Sequence, residues 1–482
     1  MMGNSKKMFF IMLILSILFG MFGHEKGIWV GLSFLAHLIT LGLIGYYHLF
    51  KEKIFSPFIG SYLVFWVLFF YYAPIAQMGG MGLVGYFPNT LPFNSSSVIG
   101  LNWLLSVWNL VFFFSYLVMK KIIFGSREMG DWRITTRVSK YANIQVLVLT
   151  SISVVIVLLF WEEIIHRLNF KEYPSSMSKT MMLLVVKSIF SIPYISLLLG
   201  IHYLQQKGKL KTSFYYVIAL TILSLITFLL VKNPFMDKRN ALGPLYISIL
   251  LLLFPRLLNS NRKYVGFMFM AMVIAFPLVS IFTHARGGIL SMIKKPSIIL
   301  DRFSSDFGLY SELSKLHYDS YSNILAVMNY ISEYDVIYLK QILGVFFFFI
   351  PRSIWVSKPI GSGELIGEYL VENYDMWFSN ISCPLVGESL LNLGYLGIIV
   401  FPITLAFFII MFLKMLYSKD FLKQVLSIYF AIHLLFLLRG DLMNGWAYFF
   451  GTFVGIYAIP KLINFTGKLI SVIYYKYLPD SI

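Results

Sequence analysis

The chain has 482 residues, of which 58% are hydrophobic and only 13% are charged, and its mean hydropathy is +0.77. Soluble domains have about 45–50% apolar and about 25% charged residues, so this composition excludes an ordinary soluble domain and predicts a polytopic helical membrane protein. The net charge of +17 favours cationic cytoplasmic loops over a nucleic-acid-binding surface.

Apolar runs of membrane-spanning length recur along the chain, beginning with MMGNSKKMFFIMLILSILFG. This first segment has the lysines and apolar run of a signal peptide but no small-residue cleavage site, which favours a retained signal-anchor helix. Nine spans are predicted within 1–282 and three within 385–482, which also holds the cytoplasmic tail. The twelve spans are 8–23, 28–49, 57–75, 98–119, 144–163, 180–203, 213–231, 240–255, 264–282, 385–413, 424–438 and 445–460.

The lysine and arginine residues between the spans predict the orientation of the chain. With the N-terminus inside, every second loop is basic, and the loop at 120–140 alone carries six basic residues. The positive-inside rule then predicts an even number of spans, with both termini in the cytoplasm. Other basic residues on this side are Lys6, Lys7, Lys51, Lys53, Lys207, Lys209, Lys211, Arg256, Arg262, Lys263, Lys414, Lys419, Lys423, Lys461, Lys468 and Lys476.

One large external loop is predicted at 283–384, and we expect it to contain short helices. Apolar residues at helical spacing between Leu316 and Ile331 predict one of them. The apolar stretch 336–350 is short, and a span there would place every later basic loop outside. We therefore expect an interfacial or re-entrant segment that leads into PRSIW.

Cations on the predicted outer side oppose the positive-inside rule and suggest a binding site for an anion. An arginine at membrane depth is costly unless a carboxylate or an anion meets it, and its paired N–H donors suit phosphate. For any one residue, the alternative is contact with lipid headgroups or with a nearby carboxylate such as Asp237 or Asp441. The candidates are Arg239, Arg286, Arg352, Lys358 and Arg439.

Three titratable residues on the same side are candidates for a general base. Glu388 lies in the first turn of a long span, where it could equally complement the helix dipole. His317 could act as a base or be a solvated loop histidine. Asp319 lies in the external loop and would share a helix face with Asn323, four residues later.

Metal and nucleotide chemistry have no support in the sequence. The single cysteine, Cys383, excludes an internal disulfide and a multi-cysteine metal site. The chain contains no Walker A, GxGxxG, HExxH or DxD motif. Nucleotide-driven chemistry therefore has no visible motif.

Several motifs together resemble a family of bacterial membrane enzymes. FIPRSIWVSKP resembles the F-I-P-R-x-x-W-x-x-K-P pattern of Wzy-type polymerases, which join the repeat units of O-antigen, capsule and enterobacterial common antigen. GESLLNLGYLG resembles their G-E-x-x-x-N-x-G-x-x-G segment, with Glu388 and Asn392 at matching places. LLRGDLMNG and DKRNALGPLYI resemble arginine-containing ends of two of their spans. The resemblance covers about 235–450, and the N-terminal half matches only as a series of spans.

This resemblance implies a GT-C-like glycosyltransferase in the inner membrane of a bacterium, with its active site on the periplasmic face. Its donor and acceptor would be undecaprenyl-diphosphate-linked oligosaccharides, and a chain-length regulator protein could be a partner. The growing chain would move to the non-reducing end of a new lipid-linked unit, and undecaprenyl diphosphate would leave. The resemblance also implies that no metal and no cofactor is needed.

The chemistry of this reaction gives the candidate residues their roles. Fixed cations would stabilise the charge that develops on the departing diphosphate. For this we expect first Arg239, Arg352 and Arg439, and second Arg286 and Lys358. A base would take the proton of the acceptor hydroxyl. The candidates are Glu388, Asp319 and His317.

Two other functions stay open. An O-antigen ligase, which transfers the finished chain to lipid A–core, has similar spans and arginines and relies on a loop histidine, for which His317 is available. The PRxxW…KP pattern favours the polymerase. A transporter or flippase is the third candidate, but the inverted repeats and the broken helices at mid-membrane that many transporters have are not visible.

Overall fold

The computed structural model describes residues 2–24, 26–78, 93–125, 132, 142–170, 185–206, 212–234, 237, 239–275, 313 and 316–467. Regular structure in these ranges is helical throughout, without a strand. Helices α1–α12 are Met2–Phe22, Ile28–Tyr46, Pro57–Val67, Ala73–Met78, Ser95–Phe124, Ala142–Leu159, Trp161–Phe170, Ile192–Gln206, Thr212–Val231, Arg239–Leu253, Pro255–Leu258 and Asn261–Met270. Helices α13–α19 are Ser320–Tyr334, Lys340–Phe346, Ser362–Tyr374, Leu385–Leu393, Gly397–Leu416, Phe421–Arg439 and Leu442–Phe453.

The chain is an all-α, multi-pass membrane protein. Within the described ranges, nine helical segments are long and apolar enough to cross a membrane, or ten if the bent pair α6 and α7 is one span. Each of the nine overlaps a span predicted from the sequence. The predicted span 144–163 corresponds to α6 and α7, which meet at a bend of 67°. The predicted span 240–255 corresponds to the shorter apolar helix α10. The predicted span 264–282 begins in α12, and the described range ends at residue 275. The count of twelve stays a prediction.

The described basic stretches around Lys51, Arg262 and Lys414 meet at one end of the bundle, which we call the basic end. There Ser56 N–H donates to Asn261 Oδ1 at 2.9 Å, and Phe55 N–H donates to the Tyr417 hydroxyl at 2.9 Å. Helix α18 begins at this end and carries Arg439 to the opposite end, about 28 Å away. The alternation of charges in the sequence assigns these stretches to the cytoplasmic side, and that assignment stays a prediction.

A buried carboxylate, Glu52, ties helices together at the basic end. It accepts hydrogen bonds from Lys120 Nζ, the Tyr116 hydroxyl and His48 Nδ1, each at 2.5 Å. Burial alone would raise the pKa of Glu52, but the hydrogen bonds and charges of His48 and Lys120 outweigh it and lower this pKa. The cluster joins the loop after α2 to the end of α5.

Buried asparagines join α5 to its neighbours inside the bundle. Asn102 and Asn109 are two turns apart, and their amides donate to Ser33 Oγ at 2.9 Å and to Thr40 Oγ1 at 3.1 Å on α2. Tyr321 on α13 donates its hydroxyl hydrogen to Asn102 Oδ1 at 2.9 Å. These bonds fix α13, from the predicted external loop, against the membrane bundle.

Two other elements of the predicted external loop position the site. Helix α15 packs directly on the extended segment 379–383, since a Cβ at Gly367 would lie 1.8 Å from the Ser379 carbonyl oxygen. Helix α14 has seven residues and is about 10 Å long, so it cannot cross a hydrocarbon core of about 30 Å. The stretch 336–350 is thus a short helix followed by turns.

Candidate functional site

Three parts of the chain converge at the end of the bundle opposite the basic end. They are the start of α13, the first turn of α16, and the junction between α18 and α19. Each contributes a carboxylate that is nearly inaccessible to solvent: Asp319 is 4% exposed, Glu388 1% and Asp441 7%. Because buried carboxylates are costly without donors, their hydrogen bonds show how the site is held.

Asp319 forms an ion pair with Arg439, 120 residues away in sequence. Arg439 Nη2 donates to Asp319 Oδ1 at 3.1 Å, and Ser382 Oγ donates to the same oxygen at 3.0 Å. Asn323 donates from Nδ2 to the Ser382 carbonyl at 2.7 Å. Asp319 and Asn323 therefore both reach Ser382. The sequence offered Asp441 as a possible local partner for Arg439, and in the structure the Asp441 carboxylate caps the next helix.

Glu388 uses both carboxylate oxygens within the protein. Its Oε1 accepts from the backbone N–H of Leu442 at 2.9 Å, and its Oε2 accepts from Ser362 Oγ at 2.7 Å. Asn392, one turn later, donates to the Glu388 carbonyl at 2.8 Å, which accounts for the four-residue spacing of the motif. Glu388 lies on α16, but the helix N-terminus that its carboxylate complements is that of the neighbouring α19.

Asp441 directly precedes α19 and is its N-terminal cap. Its Oδ1 accepts from Asn444 N–H at 3.2 Å, and its Oδ2 accepts from Gly363 N–H at 3.3 Å. Burial raises the pKa of the Asp441 carboxyl above its ordinary value, while these N–H donors oppose the rise. Glu388 and Asp441 therefore both hold the first turn of α19. The signal in the sequence was an aspartate directly before an apolar run.

Arg352 and Lys358 lie side by side in the loop between α14 and α15, which we call the PRSIW loop (residues 347–361). Arg352 donates from Nη1 to the Lys358 carbonyl at 2.6 Å and from Nη2 to the Pro359 carbonyl at 3.2 Å. Lys358 Nζ donates to the carbonyls of Phe348 at 2.6 Å and Ile350 at 2.9 Å. Partial burial and the neighbouring Arg352 charge lower the pKa of Lys358.

The two cations of the PRSIW loop have neutral partners. Within the described ranges, no carboxylate lies at ion-pair distance from Arg352 or Lys358, and Arg352 is exposed. Their hydrogen bonds go to backbone carbonyls, which fix the two side chains without cancelling their charge. The loop is thus a doubly positive surface whose two cations are held by backbone carbonyls.

The PRSIW loop and α14 rest on α19, the helix that Glu388 and Asp441 hold. The Phe348 ring lies 5.8 Å from the Phe450 ring, and the Phe346 ring lies 6.4 Å from the Trp446 ring. A Cβ at Gly344 would lie 2.7 Å from Met443 Cε, so α14 approaches α19 closely. One helix thus connects the cationic loop with the buried carboxylates.

The structure brings together some of the residues predicted from the sequence. Asp319, Glu388 and Arg439 meet around the α18–α19 junction. His317 is half-buried in the single-turn helix Leu316–Tyr318, directly before Asp319. Arg286 lies outside the described residues, as does the side chain of Arg239, which begins α10. Asp237, the carboxylate expected beside Arg239, forms an ion pair with Arg167.

Two buried lysines were missed by the sequence reasoning. Lys187 is 6% exposed, and its Nζ lies 4.3 Å from the centre of the Tyr448 ring on α19. Its positive charge also opposes the rise in the pKa of Asp441. Lys232 is 4% exposed and donates from Nζ to the Val186 carbonyl at 2.8 Å. Lys187 lies inside a predicted span, and an ionisable residue in such a position is itself a signal of function.

No protein-family model, no curated protein and no solved structure matches this chain. The residues that the structure describes include no group of three or more His, Cys, Asp or Glu side chains that could hold a metal ion.

Proposed function

We propose that the chain is a Wzy-type polymerase that joins undecaprenyl-diphosphate-linked oligosaccharides at the outer leaflet of a bacterial inner membrane. The observation that carries the proposal is the PRSIW loop, where Arg352 and Lys358 lie together without a carboxylate, at the end of the bundle away from the basic loops. A diphosphate is the anion that such a pair suits best, since it accepts paired N–H donors and carries several charges.

In the proposed reaction, the hydroxyl oxygen of the acceptor sugar attacks the anomeric carbon of the donor. The bond from that carbon to the phosphate oxygen breaks, and undecaprenyl diphosphate leaves with the electron pair. Arg352 and Lys358 stabilise the charge that develops on the diphosphate. The proton of the acceptor hydroxyl passes to a carboxylate.

Asp319 is the carboxylate that we favour as this base. Its Oδ1 is held by Arg439 and Ser382, while its Oδ2 accepts no hydrogen bond from the described residues. Glu388, in contrast, uses both oxygens to hold Leu442 and Ser362. We therefore assign Asp319 to proton transfer and Glu388 to positioning α19.

The remaining parts of the proposal follow from the resemblance and from the charges of the loops. The basic end would face the cytoplasm with both termini, and the full chain would have about twelve spans in a GT-C-like arrangement. A chain-length regulator protein would be a partner. The second candidate function is an O-antigen ligase, which the half-buried His317 beside Asp319 favours.

Deletion of the gene in its own strain tests these assignments. We expect surface polysaccharide on a gel to change from a ladder to lipid A–core capped with single repeat units. Loss of all capping would support the ligase, and an unchanged ladder would exclude both enzymes. Re-expression of the chain restores the ladder if the phenotype belongs to this gene.

A further inference from the structure

The far ends of α13 and α15 form a cluster of tyrosines that the proposed reaction does not use. The rings of Tyr330 and Tyr334 stack with their centres 5.1 Å apart, and the Tyr369 ring meets both edge-on, at 5.5 and 6.1 Å. The Tyr374 ring lies 5.7 Å from Tyr369. These four residues are the tyrosine cluster.

The tyrosine cluster is rigid, yet one of its rings is open to solvent. Tyr369 is 3% exposed and donates its hydroxyl hydrogen to Glu333 Oε1 at 2.9 Å. Asn329 Nδ2 donates to the Tyr374 hydroxyl at 2.8 Å. Tyr334, by contrast, is 58% exposed, and its hydroxyl has no partner in the part of the chain that the structure describes. The ring of Tyr334 and its hydroxyl are therefore open to a ligand.

Both helices of the cluster begin at the candidate site. Asp319 directly precedes α13, and Ser362, which binds Glu388, is the first residue of α15. At 1.5 Å per residue, Tyr334 lies about 22 Å beyond Asp319, and Tyr369 about 10 Å beyond Ser362. An oligosaccharide that is held at one end in the site has to extend over this distance along α13 to reach Tyr334.

The charge around the cluster decides which part of a substrate fits there. The segments 320–339 and 359–413, which include α13 and α15, contain no lysine or arginine, although the whole chain carries +17. Glu333 and Asp335 are exposed beside the rings. The two carboxylates beside the rings disfavour phosphate there, whereas the C–H face of a sugar packs on an aromatic ring and sugar hydroxyls donate to tyrosine and carboxylate oxygens.

We propose that the tyrosine cluster binds the sugars of the lipid-linked substrate that lie farthest from the diphosphate, with the Tyr334 ring as the stacking surface. The inference rests on the proposed function and adds the direction in which the substrate lies on the protein. The diphosphate lies at the PRSIW loop, and the oligosaccharide extends along α13 towards Tyr334. Neutral or amino sugars fit this surface, and acidic sugars do not.

Binding of the free oligosaccharide to the full-length protein in nanodiscs tests the inference. The probe is the repeat unit released by mild acid from the lipid-linked pool of the source cells, and its affinity is measured by saturation-transfer NMR titration. We expect Tyr334→Ala to weaken binding about tenfold and Tyr334→Phe to keep most of it, since the ring supplies the contact. The matched control is Tyr215→Ala, which removes a tyrosine that is 70% exposed on α9.

The outcomes separate this inference from the proposed function. Equal affinity for wild type and Tyr334→Ala, or no binding by wild type, overturns the sugar site even if gene deletion abolishes the ladder. If binding to the purified protein depends on Tyr334 but the ladder of the source strain survives gene deletion, the sugar site is supported and the polymerase function is excluded. Because Tyr334 is exposed, its loss leaves the fold intact, and the Phe variant provides a second check.

Discussion

Arg352 gives the sharpest test of the proposed chemistry. Its two hydrogen bonds to carbonyls in the PRSIW loop contribute about 1 kcal/mol each at most, because the side chain is exposed, so Arg352→Ala should leave the protein folded. If Arg352 stabilises the diphosphate in the transition state, its removal should slow turnover by about 10²–10³-fold. Arg352→Lys keeps the charge but loses the paired donors, and we expect about tenfold slower turnover.

The assay is release of undecaprenyl diphosphate by purified protein in proteoliposomes, together with the surface ladder in complemented cells. Lys340→Ala is the matched control, since Lys340 is an exposed cation at the start of α14 and its side chain has no partner among the described residues. A full ladder and normal turnover in Arg352→Ala, at normal protein level, would refute the assignment of the PRSIW loop to the diphosphate.

Three further predictions concern the base, the packing of α15 and the basic end. Asp319→Asn should slow turnover by about 10²–10⁴-fold, and it should also lower the melting temperature because Arg439 loses its charged partner. Glu388→Gln should lower stability by about 1–3 kcal/mol with a much smaller effect on the turnover of the folded protein. A larger loss of turnover in Glu388→Gln than in Asp319→Asn would exchange their roles. Gly367→Ala should destabilise the protein by about 1–3 kcal/mol or more in thermal unfolding, because its Cβ would overlap a carbonyl oxygen. Gly243→Ala, where nothing lies within 4 Å, is the control. Because the folded protein lowers the pKa of Glu52, its stabilising effect is complete above the ordinary value of 4.5 and is lost as pH falls through the folded value. Melting temperatures should therefore drop in acid less steeply for Glu52→Gln.

Hydropathy and charge in the sequence predict the membrane bundle well, because each span has to satisfy the same requirement independently of its neighbours. The interior of lipid accepts long apolar helices, and α18 meets this requirement from its own residues alone. The stretch 336–350 shows the limit of the method. Its apolar character is clear, but the fact that only Lys340–Phe346 is helical follows from packing against α19.

The partners within the site could not be predicted, because they depend on contacts between distant segments. Asp441 lies two residues from Arg439, yet the ion pair forms with Asp319, since α13 is docked between the bundle and the segment around Ser382. Carbonyl partners for Arg352 are equally invisible, because a backbone oxygen is available at every residue. The tyrosine cluster needs two helices that are adjacent only in the folded chain.

Helix α19 has a mechanical role beyond its place in the packing. Glu388 and Asp441 accept hydrogen bonds from the backbone of its first turn. Aromatic rings along its side pack against the phenylalanines that lead into the PRSIW loop. A shift of α19 along its axis would therefore strain the hydrogen bonds of both carboxylates and move the cationic loop in the same step. If a lipid headgroup binds at Arg352 as proposed, its arrival would therefore be coupled to the alignment of the buried carboxylates.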